Sequence, residues 1–290
     1  VSAAAARAAD VRIEDVSDKA LQDALYLVQN GKLPEAEAAF SAYIELKPET
    51  ASAWSNRGQT RAHQGRFSEA AADFGHAISL APFAPVPYVN RATALCGLYE
   101  QQGGINPQLL TDARIDCLEA VKADPTEETS YAALGEIWRL DAMRSDDRNF
   151  VVLKWRQSAD AYREASEAAP LVVFFPLRRA MALFEAGDDA EAMRQLMGLV
   201  RKNPGYGEAN NALATVAASS GERSVAEDAI SRARRYDENE GFATRRPRDY
   251  ADSLKWTPRL ARAFETFCSE GQTVAARFAN VTCATATAKK

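Results

Sequence analysis

The chain alternates stretches of helically spaced apolar residues with short breaks at glycine or proline. Four breaks fall at Gly31, Gly65, Gly187 and Gly221, and an alanine follows each five residues later: Ala36, Ala70, Ala192 and Ala226. A bulky apolar residue stands at the next turn, Phe40, Phe74, Leu196 and Ile230. Gly31 and Gly65 are 34 residues apart, as are Gly187 and Gly221. Pro48, Pro82, Pro125, Pro170 and Pro204 follow a related beat, at spacings of 34, 43, 45 and 34. Self-similarity at such a period predicts a repeated supersecondary unit.

The unit that explains this spacing is a pair of antiparallel helices. Glycine supplies the left-handed turn after the first helix without a Cβ penalty. The alanine is the small side chain at a close helix crossing. The bulky residue fills the space between units, and proline stops the second helix or opens the next turn. One pair cannot bury its own apolar stripe, so neighbours stack into a continuous core. The segments read as 17–50, 51–84, 85–127, 128–172, 173–206 and 207–240, preceded by a flexible segment 1–16. The third carries about nine extra residues near Glu100 to Gln108, the fourth about eleven near Asp141 to Asn149,.

Ala53-Trp54-Ser55-Asn56-Arg57-Gly58, then Gly65, Ala70, Phe74, Ala77 and Pro82, resembles the tetratricopeptide repeat at nearly every signature position. The likeness extends over about 220 of the 290 residues,. It implies an all-α fold, a right-handed α-solenoid of about six helix pairs. Residues 241–270 read as an arginine-rich link and a capping helix, and 271–290 as a tail. In the capping helix Leu260, Ala263, Phe264 and Phe267 share one face, with Thr257 as N-cap and Pro258 at the first helical position,. Its expected place is over the apolar edge of the last pair.

Composition narrows the function. The chain holds 47% apolar and 26% charged residues, and no apolar run is long enough to span a membrane,. Net charge is −5, yet residues 232–290 hold 12 Lys/Arg against 7 Asp/Glu. The acidic remainder argues against nucleic acid as a partner. There is no phosphate-binding loop, no G-x-S-x-G elbow and no H-E-x-x-H pair, so the expectation is a non-enzyme without cofactor or metal,. The competing reading is a metal-dependent or enzymatic module built on the insertions of the third and fourth repeats, with Asp141, Asp146 and Asp147 as its acidic set. His63 and His76 lack partners at ligand spacing. Cys96 and Cys117 fall on the two helices of one pair, leaving both a disulfide and two buried thiols open.

In the family's geometry the first helix of each pair lines a concave binding face. The residues this puts forward are Asn56, Gln59 and His63, then Asn90 and Thr93, then Arg139, then Arg178, Met181 and Phe184, then Asn211. Ser55, Val89, Glu136, Leu177 and Thr215 accompany them. Asparagine carboxamides donate and accept, so Asn56 and Asn90 suit the backbone of an extended peptide, or a bridge between adjacent helices. The implied partner is a protein, within a multi-subunit complex. Chaperone-binding relatives grip a C-terminal carboxylate, but the corresponding first-repeat positions here are Leu21 and Leu25, so no Hsp70/Hsp90-type clamp is expected. With Val28 they suggest an apolar patch at the start of the array.

The ending, with Leu254-Lys255-Trp256-Thr257-Pro258 before Phe264 and Phe267, resembles that of tetratricopeptide proteins of cyanobacteria and plastids, although Thr257 replaces the usual proline. This implies a thylakoid-associated scaffold or assembly factor for photosynthetic complexes. Small residues from Ser2 to Ala9 fit a processed import precursor,. A plastid location, thylakoid-associated or in the lumen, is therefore the expectation, with the cytoplasm as the alternative.

Overall fold

Glycine-pivoted hairpins of helix set the architecture. The computed structural model describes residues 19–145, 147–236, 251 and 256–275. These residues form thirteen helices: α1 Lys19–Gln29, α2 Leu33–Leu46, α3 Ala51–His63, α4 Phe67–Leu80, α5 Pro85–Gln101, α6 Gln108–Ala123, α7 Glu128–Arg144, α8 Arg148–Ala168, α9 Phe174–Glu185, α10 Asp189–Lys202, α11 Gly207–Ser219, α12 Arg223–Tyr236 and α13 Pro258–Ala275. Two consecutive helices fall in each of the six segments drawn from sequence. The chain is an all-α solenoid of helix pairs, divided into two compact units, 1–137 and 138–290.

At the four hairpins where a glycine was expected, Gly31, Gly65, Gly187 and Gly221, it adopts a left-handed conformation. Gly65 has φ +75° and nothing within 4 Å of a would-be Cβ, so backbone strain alone excludes other residues there. Around it the Arg66 amide donates to the Arg61 carbonyl at 3.0 Å and the Gly65 amide to that of Ala62 at 2.9 Å, closing the last turn of α3,. Gly65→Val should lower stability by about 1–2 kcal/mol. Gly198→Ala, inside α10 with open space at its Cβ, should raise it by about 0.5–1 kcal/mol,. Urea midpoints that moved in the same direction for both variants would contradict the assignment.

Unit 1 stacks α1 through α6 and the start of α7. Ala36 and Ala70 are fully buried at their crossings, with Phe40 and Phe74 beside them at 0% and 1% exposure. Leu21 lies in the core of the first pair, and Leu25 and Val28 pack against it, so this trio is not the open patch expected from sequence. First helices also touch one another, α1 with α3 and α3 with α5. The insertion of the third pair lengthens α5 and adds a turn through Gly103 and Gly104, both at positive φ.

Unit 2 has one continuous apolar core running from Ala142 and Trp155 to Cys268. Its extra residues extend helix rather than loop, since α8 alone is 21 residues long. The pairs α9–α10 and α11–α12 come next, and α13 lies against α9 and α11. Thus the capping helix rests on the last pair, as expected, through its first helix α11, and also reaches α9 of the pair before.

A second periodic feature joins pair to pair. Trp54 Nε1 donates to the Pro48 carbonyl at 2.7 Å, Tyr88 Oη to Pro82 at 3.2 Å and Tyr131 Oη to Pro125 at 3.1 Å. In unit 2 Asn210 Nδ2 does the same to Pro204 at 2.9 Å. These residues hold the proline turn with their polar ends.

Candidate functional site

The candidate face is that of the first helices, and the two units treat it differently. In unit 1 the helix pairs are bolted from behind. Arg57 on α3 makes two bonds to Asp73 on α4, at 3.0 and 2.8 Å, and Arg61 reaches Asp73 and Glu37, each at 3.0 Å. One pair further on, Arg91 repeats the motif with Asp116 at 2.8 and 2.6 Å. Asp73 and Asp116 are 2% and 3% exposed, so these are largely desolvated bidentate contacts,. They turn these arginines toward the second helices and away from the opposite side of α3 and α5.

That side carries five of the residues put forward from sequence. Gln59, His63 and Thr93 are exposed, and Asn56 and Asn90 are half-buried. Neither asparagine side chain makes a hydrogen bond within the described residues, whereas Thr93 Oγ1 is turned back to the Val89 carbonyl at 2.9 Å. Asn56 and Asn90 are 34 residues apart on helices that touch. The arrangement offers amides in repeat register, able to pair with an extended backbone.

In unit 2 the structure corrects the sequence reading. Arg139, Met181, Phe184 and Asn211 were placed on an open face, but they are 6%, 1%, 1% and 1% exposed. Arg139 Nη1 lies 2.7 Å from Met143 Sδ within its own helix. Arg178 is half-buried, its guanidinium 4.8 Å from the Phe174 ring centroid. Met181, Phe184 and Asn211 are on α9 and α11, the helices beneath α13. Every residue of α11 from Ala209 to Ala217 is buried.

α13 is fastened mainly at its N-terminal end. Arg259 donates to both carboxylate oxygens of Asp189, at 2.6 and 2.7 Å, and to the Phe184 carbonyl, with its guanidinium 3.9 Å from the Phe184 ring centroid. Thr257 precedes the first turn as expected, but the Arg259 and Leu260 amides donate to Glu185 of α9, the latter at 3.0 Å,. Trp256 Nε1 donates to Glu208 at 3.2 Å and its ring meets Phe264 edge-on at 5.0 Å. Leu260 and Phe264 are fully buried. Glu185, Asp189, Glu208 and Arg259 were not singled out from sequence. The charge-free run from Ala209 to Ser220 was the available sign that this face is covered,.

Burial pushes the Glu185 carboxyl above the ordinary carboxylate range, against the opposing pull of the amides it accepts and of Arg259,. A folded value above the unfolded one means that Glu185 favours folding at pH below the unfolded value. That contribution is lost as pH rises through the folded one. Glu185→Gln should therefore gain on the wild type across that window toward neutrality. Melting temperatures that ran parallel against pH would show that the carboxyl is not perturbed.

The remaining candidates are resolved more simply. Cys96 and Cys117 are buried free thiols, and burial pushes the Cys117 thiol up. His76 stacks on Trp54 at 4.5 Å, and Asp141 pairs with Lys154 at 2.8 Å. Asp146 lies outside the described residues. Among those described, no group of three or more His, Cys, Asp or Glu could hold a metal ion, and no helix is long and apolar enough to cross a membrane.

Residues 21–85 match the tetratricopeptide-repeat family model. No curated protein matches the chain in sequence. Several solved structures are similar in fold. The crystal structure of MamA protein shares 17% identity over 67% of this chain and 95% of its own, with a TM-score of 0.52. A MamA chain from Desulfovibrio magneticus RS-1 shares 13% over 63% and 92%, at 0.51. YrrB, described as a TPR protein with an unusual peptide-binding site, shares 16% over 75% and 97%, at 0.50. The first two helix pairs are thus tetratricopeptide repeats by sequence, and the 34-residue beat with a left-handed glycine returns at Gly187 and Gly221 in a chain whose fold is similar to those solved structures.

Proposed function

We propose that the protein is a non-enzymatic scaffold that holds an extended segment of a partner protein on the α3–α5 face of unit 1. The helix-pair fold supports a protein-interaction role, because stacked first helices form a continuous surface. The observation behind the specific reading is the pair Asn56 and Asn90, in equivalent register, with carboxamides that no group among the described residues engages. An extended backbone presents N–H and C=O groups that such amides can meet two at a time. Gln59 and His63 would add contacts along the same face.

The test is capture by the full chain, followed by quantitative binding of the recovered partner's segment. Asn56→Ala and Asn90→Ala should each weaken binding about tenfold, the loss of roughly 1.4 kcal/mol of hydrogen bonding, without lowering the melting temperature. Undiminished capture by the double variant would remove this face from the function. The finer reading, a subunit or assembly factor of a photosynthetic membrane complex in plastids, rests on the resemblance of the ending around Trp256. Cross-linking in situ, with thylakoid proteins recovered at Asn56 and Asn90, is the result it requires.

A further inference from the structure

Equivalent positions of the two units have opposite fates. Gln59 and Thr93, 34 residues apart, are exposed on α3 and α5. Met181 and Thr215, also 34 apart and at the same place in their repeats, are fully buried on α9 and α11. What differs is α13, which lies across α9 and α11. α13 therefore occupies the face that unit 1 presents open, rather than the exposed end of the array.

Its contacts describe a ligand of definite chemistry. Three carboxylates, Glu185, Asp189 and Glu208, rim an apolar floor that includes Met181, Phe184 and Leu213. The occupant answers with an arginine in its first turn and an indole N–H just before it. Leu260, Phe264 and Cys268, spaced four apart, form one buried stripe. This is helix-in-groove recognition with complementary charge at one end.

We propose that the α9–α11 face of unit 2 is a receptor for an amphipathic helix. The ligand carries a basic residue in its first turn, followed by large apolar residues at i+1 and i+5. α13 fills the receptor in cis, and a partner helix of that pattern binds by displacing it. The site, the ligand's conformation and the residues involved are separate from the α3–α5 face, so either reading can fail without the other.

A tethered helix acts at an effective concentration on the order of 1 mM. Against a groove with a Kd of about 10 μM, it should weaken an external competitor about 100-fold. The experiment uses the full chain with a protease site inserted between residues 241 and 246, and a fluorescent peptide of residues 256–275 as probe. After cleavage the probe should exchange into the protein and saturate at one per chain. The uncut chain should bind it about 100-fold more weakly. Arg259→Glu or Phe264→Asp in the probe should cost at least tenfold. An unrelated amphipathic helix with the same arginine, leucine and phenylalanine placement should bind the cut protein within about tenfold of the probe.

No exchange into folded, cut protein would overturn the proposal, as would loss of fold both on cleavage and in the uncut Leu260→Asp variant. Either result would make α13 a permanent part of the core. Reciprocal α13 exchange between uncut chains, seen as a stable dimer, would make a second copy the occupant and overturn the partner assignment.

Discussion

Asp73→Ala should lower the unfolding free energy by about 3 kcal/mol, the low end of what removing one partner of a buried ion pair costs. Asp73 accepts from both Arg57 and Arg61, so its loss leaves two guanidinium groups without that anion. Their side chains keep 12% and 17% exposure, which lets water recover part of the penalty and places the effect below the upper end,. Asp73→Asn, which retains one acceptor oxygen, should lose less. The exposed pair Lys122–Glu119, at 77% and 47%, provides the contrast: Glu119→Ala should change stability by no more than about 1 kcal/mol,. Urea midpoints settle the comparison, and equal shifts for Asp73→Ala and Glu119→Ala would show that Asp73 is solvated.

Phe184→Ala should cost about 3–5 kcal/mol, the range for emptying a buried aromatic site. The ring is 1% exposed and lies beneath the Arg259 guanidinium, so the variant opens a cavity and removes a cation–π contact together,. The loss should be accompanied by faster hydrogen exchange in α13, because the ring packs against the Arg259 guanidinium that fastens that helix,. A change under about 1 kcal/mol would put Phe184 on an open surface, where the sequence pattern placed it.

The hairpins were legible in the sequence because each depends on local chemistry. Gly31, Gly65, Gly187 and Gly221 take the left-handed turn, and alanine five residues later is buried at the crossing in every case. Unit 1's open face was legible for the same reason, since Gln59, His63 and Thr93 are polar residues on the exposed side of their helices. The bond between Arg57 and Asp73 was not, because it requires the register between two helices. Nor was the placement of α13. Its apolar stripe declared an amphipathic helix, but the stripe fits the end of the array and the α9–α11 face equally well on composition. Only the meeting of Arg259 with Asp189, 70 residues away, decides it.

The bond from each donor to its proline carbonyl always spans six residues: Trp54 to Pro48, Tyr88 to Pro82, Tyr131 to Pro125 and Asn210 to Pro204. Arg57 and Asp73, by contrast, are 16 residues apart and their counterparts Arg91 and Asp116 are 25 apart, yet both make the same fork. Length change is thus tolerated at the hairpin tips and absent from these four seams. A lineage of such chains can lengthen its fingertips while the knuckles keep one gauge, so novelty in this scaffold should accumulate at 101–108 and its equivalents, not at the proline joints.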